Sequence, residues 1–274
     1  MIPEAFDYVP CRTLDDALTA LRDHGEDAKL LAGGHSLLPL MRLRLAAPAV
    51  LVDISRVEDL SYVRDGGDHV AVGGGTRHQV VAEADLLHAH APIVAQVAAM
   101  VGDPQVRHRG TLGGSLAHAD PAADLPGVAL ALDATIVATR TDGSSRQIAA
   151  QDLFVGFWET ALDDDEILTE VRFPKTGDAG HDYQKFRERS QDWAIVGAAV
   201  VLGDDPRVAL VNMGQRPVRA SATEAALRDG AAPHEAAALA ADGTEPMSDA
   251  TAEADYRRHL ATVLVRRALD AAAA

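Results

Sequence analysis

Val101–Pro126 reads VGDPQVRHRGTLGGSLAHADPAADLP. At its centre, Gly110-Thr111-Leu112-Gly113-Gly114-Ser115 sets glycines beside hydroxyl side chains. That pairing lets a backbone approach a ligand closely, turns N–H groups toward an anion and adds a hydroxyl donor. Two other stretches have the same character: Ala32-Gly33-Gly34-His35-Ser36 and Gly73-Gly74-Gly75-Thr76. Glycine turns at strand ends are common, so any one of the three is weak evidence. Three together in an acidic chain are better explained by a phosphate-bearing cofactor held by backbone amides. None of the usual nucleotide or hydrolase strings, GxGxxG, GxxxxGK[ST], GxSxG or HExxH, occurs in the sequence.

The same stretch continues through His118, Asp120 and Asp124. A histidine and two carboxylates this close could ligate a metal. They could equally form a ligand-holding loop, or only a turn at Asp120-Pro121 that starts a helix.

Upstream, Thr13 with Asp16 three residues later forms a capping box for a helix. Leu14, Ala17, Leu18 and Leu21 share its inner face, and Gly25 ends it. A short apolar run, Lys29–Ala32, precedes a helix near Ser36–Leu45, and Val50–Ile54 has the pattern of a buried strand, so residues 1–55 read as a small β-α-β unit. Residues 56–175 mix strands with apolar helices. They include a buried helix over Ile93–Val101 and a hairpin turning at Asp142-Gly143. The polar run after Phe173-Pro174 reads as a linker. In residues 176–274, strands at Tyr183–Glu188, Ala194–Leu202 and Arg207–Met213 predict an antiparallel sheet. Helices follow from a capping box at Ser221/Glu224 and from about Thr251 to Ala271. Period-2 alternation puts Tyr183, Lys185, Arg187 and Arg189 on one strand face, which suits a flat or anionic ligand or else a solvated surface. The whole reads as α+β.

Composition narrows the function. The 274 residues carry 25 Lys and Arg against 41 Asp and Glu, a net charge of −16. That charge repels a phosphate backbone and makes nucleic acid an unsuitable partner. No apolar run reaches the length of a membrane span, and the N-terminal residues have neither the basic nor the apolar region of a secretory signal. The expected location is therefore the cytoplasm, at most at the inner face of the membrane. The single cysteine, Cys11, excludes internal disulfides and an iron–sulfur cluster held by this chain. Redox work would have to come from an organic cofactor or a partner.

Three ordered motifs, AGGHSLLPLMRLRLAAPAVLVDI (Ala32–Ile54), Val101–Pro126 and YQKFRERSQDWA (Tyr183–Ala194), resemble those of the FAD-binding medium subunits of molybdenum hydroxylases, the aerobic carbon monoxide dehydrogenase and xanthine dehydrogenase type. The resemblance implies a two-part FAD-binding module of the vanillyl-alcohol-oxidase (PCMH) type over 1–55 and 56–175. A C-terminal domain over 176–274, with a three-stranded antiparallel sheet and helices, would follow. It also implies that Ala32, Gly33, Gly34, His35, Ser36 and Leu37, with Gly110, Thr111, Leu112, Gly113, Gly114 and Ser115, cradle the FAD pyrophosphate through backbone N–H groups. Asp124, with Asp120 beside it, would hold the ribose–phosphate region. Lys185 would approach the flavin, and Tyr183 would neighbour its ring. No catalytic acid or base and no metal ligand is implied on this chain. The implied partners are a molybdenum-cofactor large subunit and a small [2Fe–2S] subunit, assembled as a dimer of heterotrimers, with electrons leaving FAD for a quinone, oxygen or a nicotinamide. Carbon monoxide, purines, N-heterocycles and aldehydes are substrates that such complexes take. A stand-alone FAD-dependent oxidase of the same fold and a non-catalytic nucleotide-binding module are the competing readings.

Overall fold

The computed structural model describes residues 2–274, so Met1 of the expected first unit lies outside it. The chain opens with β1 (Asp7–Pro10), α1 (Leu14–His24), β2 (Ala28–Leu31), α2 (Leu37–Arg42) and β3 (Val50–Asp53). The strands are parallel in the order β1-β3-β2. The first unit is thus β-α-β-α-β, one strand more than expected. β1 has no apolar run to announce it, being a mostly exposed edge strand that ends in proline. The Thr13–Asp16 capping box forms as read, and Ala17, Leu18, Ala20 and Leu21 bury α1 against Val50 and Val52. The chain leaves the central strand's neighbour β2 at its carboxyl end, where parallel α/β units place their ligand loops. Ala32–Ser36 is that loop.

The second unit runs through β4 (Val63–Asp65), β5 (His69–Gly73) and a group of helices. These are α3 (His78–Glu83), α4 (Asp85–His90), α5 (Pro92–Met100), α6 (Pro104–Arg107), α7 (Leu112–His118) and α8 (Asp124–Ala131). It is completed by β6 (Thr135–Arg140), β7 (Ser145–Ala149), α9 (Ala150–Leu153), β8 (Phe154–Gly156), β9 (Glu159–Thr160) and β10 (Glu166–Pro174). The main sheet is antiparallel in the order β4-β5-β10-β6-β7. Its axis is β10, nine residues long and buried almost throughout, with a register shift between Leu168 and Glu170. This bulge turns backbone toward the start of the helical layer: the Gly74 amide donates to Thr169 O at 2.8 Å.

The third unit holds β11 (His181–Phe186), β12 (Val196–Val201), β13 (Arg207–Val211) and β14 (Val218–Arg219), then α10 (Ser221–Arg228), α11 (Pro233–Ala237) and α12 (Ala254–Ala272). The sheet has three long antiparallel strands, as expected, and a fourth, β14, whose two residues are too few to leave a pattern. β12 is buried along its whole length, because one face packs on α12 and the other on the helices of the second unit. Every residue of α8 is buried. An all-round apolar helix belongs between two layers, and α8 lies between the second unit and β12–β13 in one continuous core. The Ser221/Glu224 capping box does not form. Ala220 is the N-cap, and the Glu224 carboxylate turns inward to accept from Val208 N and Arg219 Nε at 2.8 and 2.6 Å. Tertiary partners have outbid a local cap. Among the described residues no helix is long and apolar enough to cross a membrane.

Candidate functional site

The loop after β2 presents backbone donors. Among the described residues, none of the five consecutive N–H groups from Gly33 to Leu37 donates to an acceptor within the chain. A run of consecutive unclaimed amides leading into a helix is a set of donors that an anion can use. Gly34 needs its glycine, with φ at +77°. Gly33 needs its own for a different reason. A Cβ there would lie 2.7 Å from Gly110 Cα and strike the Arg109 carbonyl oxygen. The first and second glycine loops therefore touch backbone to backbone.

The second loop has a different job from the one expected. Its amides are mostly engaged: Gly110 N donates to Val106 O, Leu112 N to Thr76 O, Gly113 N to Gly74 O and Ser115 N to Thr111 O. Gly114 N donates to Thr111 Oγ1 at 3.1 Å, which caps α7. Only the Thr111 amide remains, so the expectation that both loops offer N–H groups alike is corrected. What the second loop contributes is close approach. A Cβ on Gly114 would meet nothing within 4 Å but its own cap, Thr111 Oγ1 at 2.7 Å, and Ala32 Cβ at 4.0 Å. Gly114 thus opens onto space beside the first loop. Leu112 faces the core. The third glycine stretch is packing: side chains at Gly73, Gly74 or Gly75 would run into Leu60 or Leu168.

The surroundings favour a negative ligand. From Ala28 to Val52 the chain has no carboxylate, while Lys29, Arg42 and Arg44 are cationic. Arg77 reaches under the second loop and donates to Arg109 O at 2.8 Å. Its neighbour His78 is 4% exposed. Burial, with His35 and Arg107 nearby, drives the His78 imidazole down to about 4, so the ring is neutral at pH 7. Neither residue was singled out from the sequence. The only signal was their position just after Gly73–Thr76.

Asp120, Asp124, Tyr183 and Lys185 separate into two groups. Asp120 accepts from Ala122 N at 2.9 Å and makes the turn before α8. Asp124 opens α8 and is buried, and both of its oxygens are engaged from β11. Tyr183 Oη donates to Oδ1 at 2.6 Å, and Lys185 Nζ to Oδ2 at 2.8 Å. The Lys185 and Asp124 side chains are 1% and 4% exposed. Burial and then Asp124 raise the Tyr183 phenol well above its usual range. Gly197 makes room for that phenol, since a Cβ there would be 2.5 Å from Tyr183 Oη. The alternation of Tyr183 and Lys185 is as read, but β11 ends at Phe186. Arg187 and Arg189 therefore fall outside the strand, and the solvated-surface reading fails for the first two. His118 stacks on Trp158, with centroids 5.6 Å apart, and Asp124 turns toward β11, so the His118–Asp120–Asp124 set does not converge. Among the described residues no group of three His, Cys, Asp or Glu could hold a metal ion.

A dinucleotide pyrophosphate fits this donor set: five free amides, a glycine opening onto them and no carboxylate along the strand-loop-helix that carries them. Comparison with known proteins points the same way. Residues 4–176 match the FAD binding domain in molybdopterin dehydrogenase, and residues 181–272 match the CO dehydrogenase flavoprotein C-terminal domain. The chain is 37% identical to the carbon monoxide dehydrogenase medium chain of Hydrogenophaga pseudoflava, over 99% of this chain and 98% of that one. It is 36% identical to the 6-hydroxypseudooxynicotine dehydrogenase complex subunit alpha of Paenarthrobacter nicotinovorans, over 98% and 95%. Among solved structures, the Hydrogenophaga pseudoflava carbon monoxide dehydrogenase lacking the Mo-pyranopterin moiety superposes with a TM-score of 0.94 at 39% identity, covering 99% of this chain and 98% of that one. Quinoline 2-oxidoreductase from Pseudomonas putida 86 does so at 0.93 and 33% identity, covering 100% and 99%.

Proposed function

The chain belongs to the family of FAD-binding subunits of molybdenum hydroxylases, and from that membership we propose that it relays electrons between [2Fe–2S] clusters of a partner subunit and an external acceptor. As a member it is an FAD-dependent oxidoreductase subunit. In the proposed complex it joins a molybdenum-cofactor large subunit and a small [2Fe–2S] subunit in a dimer of heterotrimers in the cytoplasm, reaching a membrane only through a quinone acceptor. The observation that carries the reading is the run of free amides at Gly33–Leu37, in a loop that Gly114 approaches at Ala32.

Bound FAD supplies a carrier that accepts an electron pair and can release it singly or together. The residues of this chain bind and orient it. The Gly33–Leu37 amides and the Thr111 amide hold the pyrophosphate oxygens, and Gly33 and Gly110 keep the two loops at contact distance. Asp124, Tyr183 and Lys185 lock α8 to β11, which fixes the third unit against the module. Cys11, the one cysteine, is buried, so an iron–sulfur cluster must sit on another chain.

The test has two stages. The purified chain is examined for a flavin absorption spectrum, and the chromophore released by denaturation is identified by chromatography. The expected result is non-covalent FAD. A colourless chain that refuses added FAD, alone and with its partners, would overturn the reading. Anaerobic mixing with the reduced [2Fe–2S] subunit of the same complex should then bleach the flavin band, and an unchanged spectrum would refute the electron relay.

A further inference from the structure

His78 is the first residue of α3, and its amide donates to Gly110 O at 3.0 Å, tying it to the second loop. Its ring lies edge-on to the same glycine: a Cβ at Gly110 would sit 2.7 Å from His78 Cδ2 and 3.1 Å from Nε2. Only glycine leaves room for the imidazole there. Neither ring nitrogen has a hydrogen-bond partner among the described residues. Nδ1 is sealed from solvent, whereas Nε2, on the edge facing Gly110, is not.

This arrangement selects a tautomer. A sealed N–H without an acceptor is the costlier orphan, and a sealed lone pair is better tolerated. The proton therefore resides on Nε2, where it forms a donor that the folded chain leaves without an acceptor. The charged and titratable groups facing the ring are His35 from the first loop and Arg107 from α6, and no carboxylate is among them. An acceptor must come from outside, and with Arg107 nearby and no carboxylate facing the ring an anionic oxygen suits the position.

We propose that His78 is a further cofactor-binding residue, whose Nε2–H donates to an oxygen of the FAD pyrophosphate where the two glycine loops meet. This rests on the reading that the chain binds FAD. A hydrogen bond to a charged oxygen contributes on the order of tenfold or more in affinity. The sealed, unpartnered Nδ1 is a cost that the residue carries with or without ligand, so His78 should favour binding at the expense of stability.

The full-length chain and its H78F and H78Q variants are stripped of flavin and titrated with FAD and with ADP, and the apo forms are melted. Phenylalanine keeps the ring shape without nitrogens, and glutamine restores a donor. H78F should bind both ligands about tenfold more weakly while its apo form melts no lower than the native one, and H78Q should recover most of the loss. Native affinity in H78F, or equal losses in H78F and H78Q, would overturn the proposal and leave FAD binding itself intact. A loss with FAD but not with ADP would overturn the pyrophosphate assignment. Failure of the native chain to bind FAD would sink both readings. If H78F does not fold, the His78 Nε2–H resonance of the 15N-labelled native chain decides: FAD must shift it and slow its exchange, and an unmoved resonance refutes the contact.

Discussion

Replacing Gly33 by alanine tests the cradle at the point where its two halves touch. The new Cβ would lie 2.7 Å from Gly110 Cα, whereas ordinary contact begins at 3.4 Å. The junction must open by more than about 0.7 Å, because the Arg109 carbonyl oxygen lies nearer still, and both neighbours are backbone, so no side chain can swing aside. Overpacking of this size costs roughly 1–3 kcal/mol where the surroundings cannot give. Here they can give, because Gly33 is half-buried and Arg109 exposed, and the apo chain should melt only a few degrees lower. FAD has no such freedom. Its pyrophosphate needs the Gly33–Leu37 amides and the edge at Gly114 at one spacing, and a misplacement approaching 1 Å costs about a hundredfold. The expected result is a Kd for FAD about a hundredfold higher, or ~2.7 kcal/mol, read by flavin fluorescence titration of the stripped protein. Gly143→Ala is the control. Its φ of +84° makes alanine costly through backbone strain in open space, far from the two loops, so it should lower stability by about 1 kcal/mol and leave Kd untouched. A folded Gly33→Ala protein that binds FAD within threefold of native would refute the claim that the two loops act as one cradle.

Three further outcomes are expected. Gly114→Val should abolish FAD retention with the fold preserved, since its side chain projects toward the first loop at Ala32 and disturbs the Thr111 cap; a yellow, stoichiometric preparation would contradict this. Lys185→Met leaves the Asp124 carboxylate buried beside Tyr183 alone and should lower unfolding free energy by about 3–5 kcal/mol. Asp124→Leu combined with Lys185→Met should recover most of it in urea melts, and additive losses would show that the pair is not the cause. Because His78 stays neutral when folded down to about pH 4 but takes a proton near 6.5 when unfolded, it contributes stability that is complete above pH 6.5 and lost as pH falls through 4. The total is about 3 kcal/mol. His78→Phe should flatten that part of the urea-midpoint profile, and parallel profiles would disprove the assignment.

Local signals read correctly where local physics decides. The Thr13 cap, the Asp142-Gly143 hairpin, the buried strand at Val50–Asp53 and the apolar run that becomes the half-buried edge strand β2 each follow from a few adjacent residues. Ser221 failed as a cap because Glu224 found partners on β13 and β14, which no window around it contains. The glycine loops were legible as close-approach backbone. Their division of labour was not, because it depends on which amides are claimed by the carbonyls of Gly74, Thr76 and Val106. Tyr183 and Lys185 could be placed on one face, but their common partner Asp124 lies about sixty residues upstream and had been assigned to the ligand. His78 was silent, since an orphaned nitrogen exists only in three dimensions.

From the bulge in β10 to the second glycine loop, contact passes entirely through main chain. Thr169 O receives the Gly74 amide, and Gly74 O receives the Gly113 amide. A Cβ at Gly113 would be 2.6 Å from Gly74 O, so nothing intervenes. Such a column is indifferent to side-chain drift over evolutionary time, apart from its own glycines. It is sensitive to arithmetic: inserting or deleting one residue between Leu168 and Glu170 would shift Gly74, and with it the height of the loop above. In this protein the spacing of the two glycine loops is inherited as a count of residues in a strand far away in sequence.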